Sequence, residues 1–594
     1  LALEHGLLRI FTITALAVIS SSVCAFHAHA FTETVTSNGT PVRWKTQDGG
    51  FKFNLAGNPI NSSGLDPEDF RQAVVTGLQR WQAASGSPLN FDYWQGTDDS
   101  IYLPNSDYNG LSSIYFASHG GKGQGLTPNI LGLTQVWYNT TNGEILEADT
   151  VLNDRDFHFT MNPEDTSGYG SKKSTFQGSD RVYIENVITH ELGHSLGFSH
   201  AGGLQSTMLF MESPEEAHLG CDEQIGIHAM YPSGDQGARG SITGHVNAPG
   251  GGPLFGAHVV AVSRQRGTVL SSAMTNVGGD FAIAALEAGT YYLMVEPYYA
   301  GPGPLPAYYQ NINPIVCPGN SVFGRTFLTF PSQSIPYPVQ VPRGGNISAP
   351  AITVGCSSGG AAVPSASSEE NIYNPSQDAS GFGVVDQFRE PMTHSYRLTA
   401  LSGDVEFRAI SYSLYSPAAF TMTLLDSDGN DMGLLSDDHS YVGDSGYVDY
   451  DGSMKAANLP LGDYTLEVTP RALSVTLYPA GSLSLDKDAF LLVTGSVNQG
   501  QPALASALPI NARCRMPEVF AAYQSPPGNP PRASTDQTDS GGGGCGTIRN
   551  INDDDQSGSG GPGAGAIIGW LLPWIAMGAL ARLAKALARQ PRQS

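Results

Sequence analysis

The stretch His190-Glu191-Leu192-Gly193-His194-Ser195-Leu196-Gly197-Phe198-Ser199-His200 constrains this chain more than any other. On a helix, residues four apart share a face, so His190 and His194 can share one metal ion. Glu191 sits beside the first of them, where a carboxylate can reach a metal-bound water without taking a coordination position. Gly197 lets the backbone turn sharply out of the helix, because only glycine reaches positive φ at little cost. That turn can bring His200 round as a third ligand. Three histidines leave the fourth position of a tetrahedral Zn2+ open for water, as a catalytic site requires.

Met208 follows in Ser206-Thr207-Met208, and the extended pattern resembles the metzincin metallopeptidases, His-Glu-x-x-His-x-x-Gly-x-x-His followed by a methionine turn. The resemblance is nearest to the matrixin-like branch and runs from about residue 41 to 232, ending in Leu219 to Pro232, which looks like that family's closing helix. It implies an α+β catalytic domain, zinc held by His190, His194 and His200, Glu191 as general base, Met208 as a packing floor under the metal, and protein or peptide substrates. Two departures limit the subfamily. Ala201 follows the third histidine where matrixins usually carry serine, and Phe210 stands where astacins and serralysins place a tyrosine ligand. No cysteine lies between Phe31 and His190, so a propeptide cysteine switch is not expected. Two other readings stay open on the motif alone: a zinc hydrolase of non-peptide amides, and a cell-surface adhesion protein with a vestigial zinc domain.

Composition sets the outer limits. At 594 residues the length allows about four domains. Gly 71, Pro 39 and only 14% charged residues point to short strands and many turns. Lys+Arg 30 against Asp+Glu 54 gives a net charge of −24, which repels nucleic-acid backbones, so no nucleic-acid partner is expected.

The chain divides as follows. Residues 1–30 read as an export signal, with Arg9 before an apolar run and Ala28-His29-Ala30 as a cleavage site. The catalytic domain is assigned to 31–236. Within it, Phe51 to Leu55 and Phe91 to Trp94 read as strands. Asp66-Pro67 starts a helix with the apolar stripe Phe70, Val74, Leu78 and Trp81. A hairpin turns at Asn142-Gly143. His119, His158, His218 and His228 lack paired spacing and read as surface or core histidines. Asp98, Asp99, Asp149, Asp154 and Asp156 could help to hold structural Ca2+, with no ligands assigned.

Beyond it, residues 237–356 alternate like a small all-β sandwich and resemble carboxypeptidase regulatory-like domains of transthyretin-like fold. Cys317 and Cys356 could pair there. Residues 357–371 form a linker, and 372–498 form a second β-rich unit that resembles pre-peptidase C-terminal domains. Residues 499–563 have the composition of a disordered stalk. Residues 564–583 are long and apolar enough for a transmembrane helix, and 584–594 form a basic, cytoplasmic tail. An amphipathic helix lying in the interface is the alternative. Gly-rich stretch, apolar helix and basic tail together resemble GlyGly-CTERM-like sorting signals, which implies a sorting protease as a partner. The expected location is exported, extracellular or at the cell surface.

Overall fold

The computed structural model describes residues 31–45, 51–55, 64–85, 89–95, 108–117, 126, 130–162, 181–201, 206–209, 217–232, 239–298, 307–309, 311–356, 366–472 with short breaks, and 489–498. The expected export signal, stalk, membrane segment and tail lie outside the described residues, as do Asp98, Asp99, His119 and Phe210. Among the described residues no helix is long and apolar enough to cross a membrane.

The first region builds a mixed sheet against helices. Strand β1 (Phe51–Leu55) leads to helix α1 (Pro67–Ser85), whose start is set by Asp66: its side chain accepts the Asp69 N–H at 2.8 Å. The stripe Phe70, Val74, Leu78 and Trp81 is buried throughout. Next come β2 (Phe91–Gln95), β3 (Ser112–Phe116), β4 (Gly132–Tyr138) and β5 (Ile145–Leu152). The sheet order is β2-β1-β3-β5-β4; β4 alone runs antiparallel, paired to β5 through the expected turn, so it forms one edge. A short parallel pair, β6 (His158–Thr160) and β7 (Arg181–Tyr183), delivers the chain into helix α2 (Ile184–Ser195), and α3 (Cys221–Met230) closes the region.

The next region is a two-sheet sandwich. Its strands are β8 (Gly240–Asn247), β9 (Ala257–Ser263), β10 (Thr268–Met274), β11 (Asp280–Leu286), β12 (Gly289–Pro297), β13 (Thr326–Phe327), β14 (Val339–Val341), β15 (Asn346–Ser348) and β16 (Ile352–Thr353). One sheet runs β10-β9-β12-β13, with β14 also on β12; the other runs β11-β8-β15, with β16 also on β8. A disulfide joins Cys317 to Cys356, with Cα atoms 5.7 Å apart. Cys221 is disulfide-bonded as well.

In the last described region, β17 (Glu370–Tyr373), β18 (Gly381–Phe388), β19 (His394–Ile410), β20 (Ala419–Leu425), β21 (Ser436–Asp437), β22 (Ser440–Val442), β23 (Tyr447–Asp449), β24 (Gly452–Ala472) and β25 (Ala489–Asn498) follow. Seven of them share one sheet around the long pair β19 and β24, whose register shifts between Leu398 and Val405. Ala400 and Asn458 take positive φ at that corner, and residues from both halves of the bent strands share one core.

The three regions are not separate beads. A single buried cluster contains Phe198, Met208 and Ile225 of the first region together with Ile242, Leu270 and Leu293 of the first sandwich. A second cluster joins Val260, Val262, Tyr292 and Met294 to Val385, Ile410, Phe490 and Leu492. Apolar side chains thus pack across both of the boundaries assigned from sequence.

Candidate metal centre

Helix α2 carries the first two histidines, and all of its twelve residues are buried. Its C-terminal end is closed in four ways. The Gly197 N–H bonds the His194 carbonyl at 2.9 Å and the Phe198 N–H bonds the Gly193 carbonyl at 3.0 Å, the paired bonds of a Schellman cap. The carbonyls of Ser195 and Leu196 accept from the Trp44 indole and the Tyr231 hydroxyl, each at 2.8 Å. Gly197 has φ +99, and a Cβ there would lie 2.1 Å from the Val42 carbonyl oxygen, so neither backbone nor space admits another residue.

That turn brings His200 back to the helix. The Nε2 atoms of His190 and His194 lie 3.1 Å apart, and those of His194 and His200 3.2 Å apart. Nδ1 of His190 faces the Thr207 carbonyl at 2.8 Å, and Nδ1 of His194 faces the Phe198 carbonyl at 3.0 Å. A carbonyl only accepts, so both Nδ1 atoms carry the proton and both Nε2 lone pairs turn inward. Burial, then the charges His194 and His200 would carry, push His190 well below the usual histidine range, against the opposing bond from Thr207. Burial likewise lowers His194 to about 4. Lone pairs this close repel unless a cation sits among them. Nitrogens bound at about 2.0–2.1 Å in a tetrahedron lie about 3.3 Å apart, so the residues present fit zinc.

Glu191 is buried, and its Oε2 accepts from the Thr134 hydroxyl at 2.5 Å. Thr134 also lies 2.8 Å from the Thr150 hydroxyl, so the carboxylate is tied to strands β4 and β5. Met208 is buried against α2: a Cβ on Gly193 would meet its sulfur at 2.2 Å. The methionine turn is in turn held by Glu223 of α3, which accepts from the Ser206 hydroxyl and, at 3.1 Å, from the Met208 N–H. Burial pushes the Glu223 carboxyl up, and these bonds act against that rise.

Two of the aspartates named from sequence have partners of their own away from the histidines. Asp149 accepts the Ser113 N–H at 2.8 Å, and Asp156 accepts from Asn153 at 2.9 Å. Spacing gave no sign of Thr134, Glu223, Trp44 or Tyr231, because each reaches α2 from a distant element. Thr134 lies in the strand that leads into the turn at Asn142-Gly143, where alternation alone does not single it out.

Residues 43–232 match the family model for matrixin, Peptidase_M10, which supports a zinc metallopeptidase. No curated protein matches the chain. Among solved structures, the major pilin subunit of Bacillus cereus is 10% identical with a TM-score of 0.11, over 44% of this chain and 60% of that one. The Bacillus anthracis TIE protein is 9% identical with a TM-score of 0.12, over 45% of this chain and 32% of that one. A putative carbohydrate-binding protein from Bacteroides uniformis is 10% identical with a TM-score of 0.11, over 44% and 99%. The match thus spans less than two thirds of the pilin and TIE chains. Scores this low carry no argument about fold or function.

Proposed function

We propose that this chain is an exported zinc-dependent endopeptidase, with His190, His194 and His200 as metal ligands and Glu191 as general base. The observation that carries the reading is the convergence of three buried Nε2 atoms, two with tautomers fixed by backbone carbonyls, on the helix that also carries Glu191. A zinc ion held there supplies Lewis-acid polarisation of a substrate carbonyl and acidifies water. Glu191 takes the proton from the attacking water and returns it to the leaving amine, so the acid and base steps use one carboxylate. Thr134 orients that carboxylate from β4. Met208 and Gly193 fix the packing beneath the helix, which keeps both helical ligands in place.

The reading places residues 1–30 as an export signal and 564–583 as a membrane or sorting helix, on sequence pattern alone. Structural calcium remains part of the proposal on the same footing.

The test is peptide and protein cleavage by the chain from Phe31 onward, with zinc quantified, beside Glu191→Ala. The parent should hold one zinc and cut; the variant should hold zinc and lose roughly 10²–10⁴-fold in kcat. A folded, zinc-loaded parent that cuts nothing across a broad peptide library would sink the peptidase reading.

A further inference from the structure

The third ligand differs from the first two in what fixes it. His190 and His194 stand on one helix, so helical geometry sets their spacing. His200 lies beyond the helix end, and its backbone is placed by tertiary contacts. On one side, the Ser199 N–H bonds the Thr32 carbonyl at 2.9 Å; on the other, the Ala201 N–H bonds the Met208 carbonyl at 2.8 Å. Between them, the carbonyl of His200 itself accepts from the hydroxyl of Tyr298 at 2.8 Å. Tyr298 belongs to the first sandwich, immediately after β12.

We propose that Tyr298 is a positioning residue of the metal centre, and that the first sandwich thereby completes the site. The inference rests on reading the histidine triad as a zinc site.

Tyr298 is itself firmly held. Its ring is buried with Val35, Met274 and Tyr309. Strand β12 is paired to β9 along Tyr291 to Pro297, which ends at the residue before it. Within that pairing, Glu296 faces His258 across the strands; its carboxylate meets His258 Nδ1 at 2.8 Å and Arg325 Nε at 3.1 Å. Burial alone would raise Glu296, but these two partners hold it below the usual carboxylate range. The phenol is thus presented from a buried corner in which one carboxylate holds two basic side chains.

The sandwich touches the centre a second time. Asp222 of α3 accepts the Ser272 N–H at 2.8 Å and lies 3.0 Å from the Ser272 hydroxyl, both on β10. The next residue, Glu223, holds the methionine turn. One sandwich therefore braces the loop of the third ligand directly and the turn beneath the ligands through α3. Outer-shell partners that bond a ligand side chain typically change metal affinity about 10- to 100-fold when removed, and Tyr298 holds the same ligand through its backbone carbonyl.

The experiment measures Zn2+ affinity of the full chain by competition with a chelator, and the visible absorption of the Co2+-substituted protein. Tyr298→Phe is compared with the parent and with Tyr291→Phe. The latter removes the same type of bond, a phenol to the Glu287 carbonyl at 2.9 Å, on the same strand but away from the metal. Thermal unfolding is recorded for each. We expect Tyr298→Phe to raise the Kd for zinc about tenfold or more and to alter the Co2+ spectrum, whereas Tyr291→Phe leaves both unchanged at a comparable loss of thermal stability. Ser272→Ala, which cuts a link to Asp222 and spares Tyr298, should give a smaller rise in Kd. If Tyr298→Phe and Ser272→Ala bind zinc as tightly as the parent, with unchanged Co2+ spectra, the inference is overturned and the peptidase reading survives. A parent that holds neither metal overturns the zinc reading and this inference together.

Discussion

Helix α2 and strand β9 are both buried along their whole length, yet for opposite reasons. Strand β9 is Ala257-His258-Val259-Val260-Ala261-Val262-Ser263, largely apolar and covered on both faces. Val259 and Ala261 face the sandwich core, while Val260 and Val262 face strands of the last region. Apart from His258, which meets Glu296, such a strand needs little beyond shape and apolar area from its neighbours. Helix α2 buries Glu185, Asn186, Thr189, His190, Glu191, His194 and Ser195, and a buried polar atom costs stability unless it is bonded. Its neighbours must therefore be chosen atom by atom. The difference marks where chemistry is held: the strand fills space, while the helix is suspended in hydrogen bonds.

The comparison breaks first at Arg264, the buried polar residue directly after β9. The residue is 2% exposed, and its guanidinium meets Asp378 at 2.5 Å and Ser380 at 2.6 Å, both in the last region. Asp378→Ala leaves that charge buried without its carboxylate and should cost about 3 kcal/mol in denaturant unfolding. Zinc content should not move. If zinc is lost with it, the last region supports the centre more closely than the contacts indicate.

Gly193 sharpens the contrast from the other side. Gly193→Ala drives a Cβ to 2.2 Å from the Met208 sulfur and 2.9 Å from Trp81, so the turn or the helix must shift. Overpacking of this kind costs about 2 kcal/mol, and zinc affinity should fall with it. Gly250→Ala, in the first sandwich with nothing within 4 Å, should be close to neutral. Equal losses at the two positions would remove the distinction between suspended and space-filling regions.

These positions also show what the sequence could convey. The motif names α2 because metal chemistry fixes residue types at fixed spacings, and Gly197 is legible because a positive φ admits little else. Strand β9 is legible as a strand from its β-branched run. Its second covered face is not, because the apolar surface that covers it comes from strands more than a hundred residues away. Thr134, Glu223 and Tyr298 are hidden for the same reason: each acts through hydrogen bonds to distant parts of the chain, and a single Thr, Glu or Tyr leaves no period to detect.

Acid should separate the regions by about 2 kcal/mol. His228 lies in the last turn of α3, where the helix dipole favours a cation, yet burial and then Arg239 lower it to about 4. Its buried Nε2 meets no hydrogen-bond partner among the described residues. The unfolded histidine, near 6.5, takes a proton before the folded one does. Its contribution is therefore complete above about pH 6.5 and is lost as pH falls towards 4, about 2 kcal/mol by pH 4.5. His228→Gln should flatten the stability profile in that window, measured by urea unfolding at stepped pH. In the first sandwich Glu296 has a lowered folded value, so its contribution is complete above the unfolded carboxylate value and is lost only as pH falls below that. A His228→Gln profile parallel to that of the parent would sink the assignment.

The smallest expected effect tests how the helix is tied to the sheet. The Thr134 hydroxyl touches the Glu191 carboxylate at 2.5 Å, the Glu191 carbonyl at 3.2 Å and the Thr150 hydroxyl at 2.8 Å. Thr134→Val keeps the shape and deletes all three. If the hydroxyl orients the general base, kcat should fall about tenfold, equal to about 1.4 kcal/mol. KM and zinc content should stay near the parent values, and Thr134→Ser should restore most of the rate. A uniform loss of zinc, kcat and stability would instead make Thr134 a brace for the whole of α2. That outcome would place the helix closer to β9 in kind, with its polar bonds serving burial rather than the orientation of one carboxylate.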